Sequence, residues 1–166
     1  MGGTLLATAL LCALMALLVS AGIEDARKRE IANWKNAVIA LLAPLWWVAN
    51  GMPVWPESVF EVSMAGQIAV ASVLFAFFVG MFFIGQMGGG DVKMIGALAL
   101  WFPLNLLVWM LAVMSIAGGV LTVVMMIERR IHKKSGPPET PYGLAIAFAS
   151  LLVVRELLFN HFGVIA

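Results

Sequence analysis

Two aspartates, Asp25 and Asp91, are the residues of this sequence whose type and placement point to chemistry. Asp25 follows a long apolar run, and Asp91 opens another directly after three glycines. Two neighbouring carboxylates can share a proton, because their repulsion separates the two pKa values and leaves one group ionised and the other protonated. Such a pair can activate water against a peptide carbonyl and then protonate the leaving amine. We therefore predict an aspartate pair as the catalytic group.

Each aspartate taken alone also fits an ordinary role. Asp91 could be a helix N-terminal residue favoured by the helix dipole, and Asp25 could pair with the basic residues that follow it. Gly88 and Gly90, which precede Asp91, fit the catalytic interpretation, because glycine lets the backbone of a substrate or of the first helix approach closely without a side chain in the way. These two glycines are therefore candidate supporting residues of the site.

Metal and cofactor chemistry has no support in the sequence. Cys12 stands alone inside an apolar run, and His132 and His161 lie far apart, so no metal-ligand pattern is present. We expect no metal, no other cofactor and no nucleic-acid partner.

The composition indicates that the solvent of this chain is lipid. Of its 166 residues, 63% are hydrophobic and only 11% are charged, which is more apolar surface than a soluble domain can bury. Lipid allows no open strands, so the expected fold is an all-α bundle of about six transmembrane helices in a single domain, residues 1–166. The first apolar run is expected to be a retained helix rather than a cleavable signal, because its basic residues follow it.

Six helices are placed by apolar length and by breaks in the sequence. A span needs roughly 20 apolar residues, and the break at Phe102-Pro103 divides a stretch too long for one helix. The predicted helices are Thr4–Ile23, Ile31 or Ala37 to Ala49, Val62–Gln86, Val92–Trp101, Asn105–Ile127 and Tyr142–Phe159. Trp46 and Trp47 are expected to form an interfacial belt at the end of the second helix.

Charge gives this bundle an orientation. With six spans, nine of the ten basic residues fall on one face of the membrane, whereas the loop between the second and third helices carries two glutamates and no base. By the positive-inside rule the basic face is cytoplasmic and both termini lie outside. Asp25 and Asp91 then both lie at the cytoplasmic face.

Three short elements resemble one family. Gly88-Gly89-Gly90-Asp91 fits the GxGD motif of intramembrane aspartyl proteases, and Val92-Lys93 continues it as in prepilin peptidases. The segment Asp25 to Asn33 resembles the family's first aspartate box, although Ala32 replaces its proline. Pro141-Tyr142-Gly143 resembles an element at the start of the last helix. Glu24 also precedes the box, but the seven-residue step to Ala32 and the eight-residue step to Asn33 match Asp25.

The resemblance is greatest to the short prepilin peptidases of tight-adherence (Flp-type) pilus systems, which lack the zinc-binding N-methylation segment. It implies an aspartic endopeptidase of the bacterial inner (cytoplasmic) membrane that cuts the leader from a prepilin, whose hydrophobic helix follows the leader. The lipid bilayer is then the other partner. Lys93 is either an interfacial anchor or a residue that tunes Asp91 or contacts substrate. Tyr142 is expected either to hydrogen-bond near the site or to lie at the interface.

Other functions remain open from the sequence. A small proton-linked transporter would place its carboxylates at the bilayer midplane, and a noncatalytic pilus-assembly protein could keep the fold without the reaction. An archaeal-type preflagellin peptidase and a signal-peptide-type GxGD protease are nearer alternatives, and the residues distinguish them weakly.

Overall fold

The computed structural model describes residues 2–57, 62–132 and 141–163, and all regular secondary structure in these ranges is helical. The helices are α1 (Gly2–Lys28), α2 (Asn33–Ala49), α3 (Met64–Phe83), α4 (Gly89–Leu98), α5 (Leu104–Ile131) and α6 (Tyr142–Gly163). The prediction of six helices in this order is confirmed. The loop predicted from Glu128 to Thr140 begins later than expected, because α5 continues to Ile131. Residues 133–140, with Lys133 and Lys134, lie outside the described residues.

Four helices are long and apolar enough to cross a membrane by length and composition, namely α1, α3, α5 and α6. The prediction of an all-α membrane protein is therefore confirmed. The other two helices fall short of that length, with 17 residues in α2 and 10 residues in α4. That all six helices cross the membrane stays a prediction.

Helix α4 lies between α2 and α3 and runs antiparallel to α3. Its first residue packs against the end of α3, because a Cβ on Gly89 would lie 3.3 Å from the Phe82 ring. At its other end the amide of Gln67, near the start of α3, donates to the carbonyls of Ala99 and Phe102 in the turn before α5. The short helix and this turn together therefore extend along most of α3.

Helix α6 packs between α1 and α5. A Cβ on Gly22 of α1 would lie 3.0 Å from the Ala147 Cβ, and one on Gly118 of α5 would lie 3.0 Å from the Tyr142 ring. These contacts bring the ends of α1, α3 and α5 and the starts of α2, α4 and α6 to one end of the bundle. We call it the carboxylate end, because Asp25 and Asp91 lie there.

Two expectations about local structure are wrong. Helix α1 does not end before Asp25 but continues to Lys28 and stops where Arg29 adopts a φ of 59°, in the left-handed region. Trp46 and Trp47 do not form an interfacial belt: both are buried, Trp46 stacks on Trp101, and Trp47 donates to the Leu100 carbonyl. The turn after α4 gives these indoles partners inside the bundle, which hydropathy alone does not register.

Candidate active site

The last turns of α1 place Asp25 against the start of α6. The Asp25 side chain is buried, and its Oδ2 atom accepts a hydrogen bond of 3.0 Å from the backbone N–H of Leu144. A helix N-terminus carries free N–H groups and the positive end of the helix dipole, so it stabilises a carboxylate. Helix α6 therefore fixes the Asp25 carboxylate at the carboxylate end.

Gly143 makes this approach possible. A Cβ on Gly143 would lie 2.8 Å from the Asp25 Cγ atom and 2.6 Å from the Ile31 Cδ1 atom, closer than nonbonded carbon atoms can approach. The glycine of Pro141-Tyr142-Gly143 is thus required by space. Sequence reasoning selected Tyr142 from this element and missed Gly143 and Leu144, although Gly143 stands in the motif that it quoted.

Asp91 is the third residue of α4 and folds back on the start of its own helix. Gly88, the N-cap residue, donates its backbone N–H to the Asp91 carboxyl, which accepts it as the side chain of the third helical residue does in a capping box. A Cβ on Gly88 would lie 3.0 Å from the Asp91 Oδ2 atom. A side chain at position 88 would therefore crowd the Asp91 carboxyl group, which would have to shift by a few tenths of an ångström.

The two aspartates interact electrostatically. Burial raises the pKa of Asp91 most, the negative charge of Asp25 raises it further, and the Gly88 N–H lowers it, which leaves the pKa at about 7. Asp91 is half-buried at the start of α4, outside the four helices that are long and apolar enough to cross a membrane. Near neutral pH this carboxyl group is therefore partly protonated, and it can both donate and accept a proton.

Ile31 lies between the two aspartate-bearing segments. It is buried, its Cδ1 atom packs at Gly143 beside Asp25, and its Cβ atom lies 3.5 Å from the position of a Cβ on Gly90, next to Asp91. The structure therefore brings Gly88, Gly90 and both aspartates into one region.

Lys93 and Tyr142 lie near this region, but their contacts are to other groups. The exposed Lys93 ammonium donates to the Asn33 Oδ1 atom at 2.8 Å, which joins α4 to the first residue of α2. The Tyr142 ring packs on Gly118 of α5. Their roles in tuning Asp91 or in binding substrate stay predictions.

Comparison with known proteins adds one match. The family model of the type IV leader peptidases matches residues 12–123, which is most of the chain and includes both aspartates. The chain belongs to the type IV leader peptidase family. No curated protein and no solved structure matches it. The chain is therefore a membrane-embedded peptidase of the leader-peptidase type.

A groove of about 440 Å³ opens on this peptidase between α2 and α3, with α4 as its floor. Polar side chains lie at its carboxylate end, and small or apolar ones continue about two helical turns away from that end. The lining residues are Asn33, Asn36, Ala37, Ala40, Phe75, Lys93, Gly96, Ala97 and Leu100.

Asn36 connects the groove to the aspartate motif. Its Nδ2 atom donates to the Gly90 carbonyl at 3.1 Å, while its buried Oδ1 atom has no hydrogen-bond partner. A carbonyl only accepts, so this contact fixes the orientation of the Asn36 amide. No local signal in the sequence identifies Asn36, because its partner lies 54 residues away on α4.

Proposed function

We propose that this peptidase is an aspartic endopeptidase that cleaves the leader peptides of type IV (Flp-like) prepilins at the cytoplasmic face of the bacterial inner membrane. The observation that carries the proposal is that Asp25 and Asp91 lie in one region at the carboxylate end. Ile31 packs beside both of them, at Gly143 and at Gly90. The family match supplies the leader-peptidase class.

The two carboxyl groups have environments suited to different parts of hydrolysis. Asp25 receives N–H donation from α6, which stabilises a carboxylate able to take a proton from water. Asp91, with its raised pKa, supplies the protonated partner that polarises the scissile carbonyl and then protonates the leaving amine. The attacking oxygen comes from water, whose proton passes to Asp25. The C–N bond breaks as the Asp91 proton passes to the leaving amine, and transfer of the proton from Asp25 to Asp91 restores the pair.

The groove supports the substrate class. A prepilin presents a polar leader followed by a hydrophobic helix, so the bond to be cut lies where polarity changes. The lining of the groove also changes from polar to apolar. Asn33 and Lys93 lie at the carboxylate end, and Ala40 and Leu100 lie farther along. Its small residues Gly96 and Ala97 let a second helix approach closely. We infer that the start of the hydrophobic segment lies in this groove and holds the leader junction beside Asp91.

The transporter alternative fits less well. A transport site is expected near the bilayer midplane, between helices that are open on both sides in turn. Asp25 instead lies in the last turns of α1, and Asp91 lies in the first turn of α4. This placement favours a reaction at one face over a path through the bundle.

The experiment is a cleavage assay in membranes that contain the peptidase and a candidate Flp-like prepilin. We expect one cut between the leader and the hydrophobic segment, with cleavage retained in the presence of a metal chelator and of reagents that block serine and cysteine nucleophiles. Cleavage abolished by such a reagent, or absent for every prepilin encoded beside this gene, would contradict the proposal.

A further inference from the structure

An ion pair between a buried lysine and a half-buried glutamate joins α1 to α2, and the reaction itself does not use it. The Lys35 side chain is 8% exposed, and its Nζ atom lies 2.8 Å from the Glu24 Oε2 atom. The same ammonium donates to the Ser20 Oγ atom at 2.7 Å and to the Ser20 carbonyl at 3.1 Å. These three acceptors satisfy all three donors of a lysine ammonium.

Without Glu24, the position of the Lys35 ammonium would be unfavourable in free energy. Lys35 lies in the first turn of α2, where the helix dipole disfavours a positive charge, and it is taken out of water. An exposed lysine would avoid both costs. The pair therefore indicates a fixed local geometry more than a gain in stability.

Ala32 shows which geometry is fixed. As the N-cap residue of α2 it has φ −59° and ψ 126°, and this φ is the value that a proline ring imposes. Alanine has no ring to hold that angle. Its backbone N–H, which proline would lack, instead donates to the Glu24 Oε2 atom at 3.4 Å.

The start of α2 also joins the two aspartate-bearing helices. Glu24 and Lys35 tie it to α1, next to Asp25, while two hydrogen bonds tie it to α4, next to Asp91. Those two bonds are Lys93 to Asn33 and Asn36 to Gly90. Among the described residues, no extensive packing joins α1 to α4 directly, so α2 and α6 set their relation.

We propose that Glu24 and Lys35 are positioning residues that hold the α1–α2 connection in a proline-like conformation and thereby set the separation of Asp25 and Asp91. We call Ser20, Glu24, Ala32 and Lys35 the brace. It acts through Ile31, the residue before Ala32, which packs against both Gly90 and Gly143. Its effect on leader cleavage rests on the proposed function, whereas its effect on the connection does not.

The test compares four forms of the full-length peptidase in detergent. They are the wild type, the double variant Glu24→Gln/Lys35→Met, the same variant with Ala32→Pro added, and Lys28→Met as the matched control. The double variant removes both charges of the pair, so neither is left buried alone. Lys28 also pairs with Glu24, at 3.5 Å, but its side chain is 70% exposed and outside the brace.

Two measurements are made on each form. The first is leader cleavage as kcat, KM and pH profile. The second is the rate of trypsin cutting after Arg29, which needs no pilin.

In the double variant we expect kcat to fall at least about tenfold with little change in KM, because loss of alignment affects the reacting groups more than substrate binding. We also expect the alkaline limb of the pH profile of leader cleavage to move to lower pH. Trypsin should cut after Arg29 several times faster than in the wild type.

Adding Ala32→Pro is expected to restore most of the kcat and of the resistance to trypsin, because the ring supplies the conformation that the ion pair held. The brace is overturned if the double variant behaves like Lys28→Met in both measurements, or if its losses are not recovered by the proline. If the wild type cuts no leader at all, the proposed function fails, and the trypsin rates still decide the role of the brace.

Discussion

Asp25 and Gly143 approach each other so closely that a Cβ on Gly143 would lie 2.8 Å from the Asp25 Cγ atom. This contact lets the start of α6 hold the carboxylate by the Leu144 N–H. The relation depends on a residue without a side chain, 118 positions away along the sequence.

Substituting Gly143→Ala should therefore displace Asp25 or the start of α6. We expect leader cleavage to fall by about ten- to a hundredfold, because a shift near 1 Å at reacting groups has an effect of this size. The matched control is Gly119→Ala, since a Cβ on Gly119 meets nothing within 4 Å. Equal cleavage rates for the two variants would contradict the contact.

The pH dependence of cleavage should follow Asp91. Its pKa is raised to about 7 by burial and by the charge of Asp25, so its protonated form is lost as pH rises through about 7. Because the proposed mechanism needs that proton, kcat should decline above pH 7, with a limb that follows one ionisation. A rate that stays level from pH 6 to about 9 would exclude Asp91 as the acid.

The Asp91 pKa itself can be measured without activity. In Asp25→Asn the negative charge is gone, so the pKa of Asp91 should fall below that in the wild type while burial still holds it above its ordinary value of 3.8. Infrared titration of the protein with isotope-labelled aspartate reports the pKa of the Asp91 carboxyl group. An unchanged pKa would show that the two groups do not interact.

Filling the groove should weaken substrate binding without altering the aspartates. Ala37→Phe places a ring in the groove, and we expect KM for a prepilin to rise roughly tenfold with kcat nearly unchanged, the effect of lost apolar contact. Ala69→Phe is the matched control, because Ala69 lines a different apolar surface, between α3 and α5. An equal KM in both variants would place the hydrophobic segment elsewhere.

The position of α4 depends on Gln67. Replacing it by methionine, Gln67→Met, leaves the carbonyls of Ala99 and Phe102 without their donor inside the bundle, which costs about 2–4 kcal/mol of unfolding free energy. Thermal unfolding in detergent measures this loss. Gln86→Met, at an exposed position, should leave the unfolding temperature almost unchanged.

The sequence was sufficient for the order of the six helices, because apolar length and the break at Pro103 are local signals. It was also sufficient to propose that Asp25 and Asp91 lie at one end, since both stand at ends of apolar runs. The end of α1 was misplaced because charge was taken as the boundary. Glu24 and Lys28 instead pair one turn apart and extend the helix until Arg29.

The remaining features depend on contacts between residues far apart in sequence. Nothing local distinguishes Lys35 from an ordinary interfacial base, and only the fold shows it buried against Ser20 and Glu24. In the same way, Trp47 resembles a belt residue until the Leu100 carbonyl is placed beside its indole.

The most direct test of the account compares leader cleavage by Asp25→Asn, by Asp91→Asn and by the variant with both changes. When two residues act as one catalytic unit, removing either one abolishes nearly all of their contribution to the rate. The cleavage rate of each single variant should therefore fall roughly a thousandfold or more, and that of the double variant no further. Glu30→Gln, an exposed acid at the same end, is the control and should retain the wild-type rate. Cleavage retained by either single variant, or losses that multiply in the double variant, would contradict a shared catalytic pair.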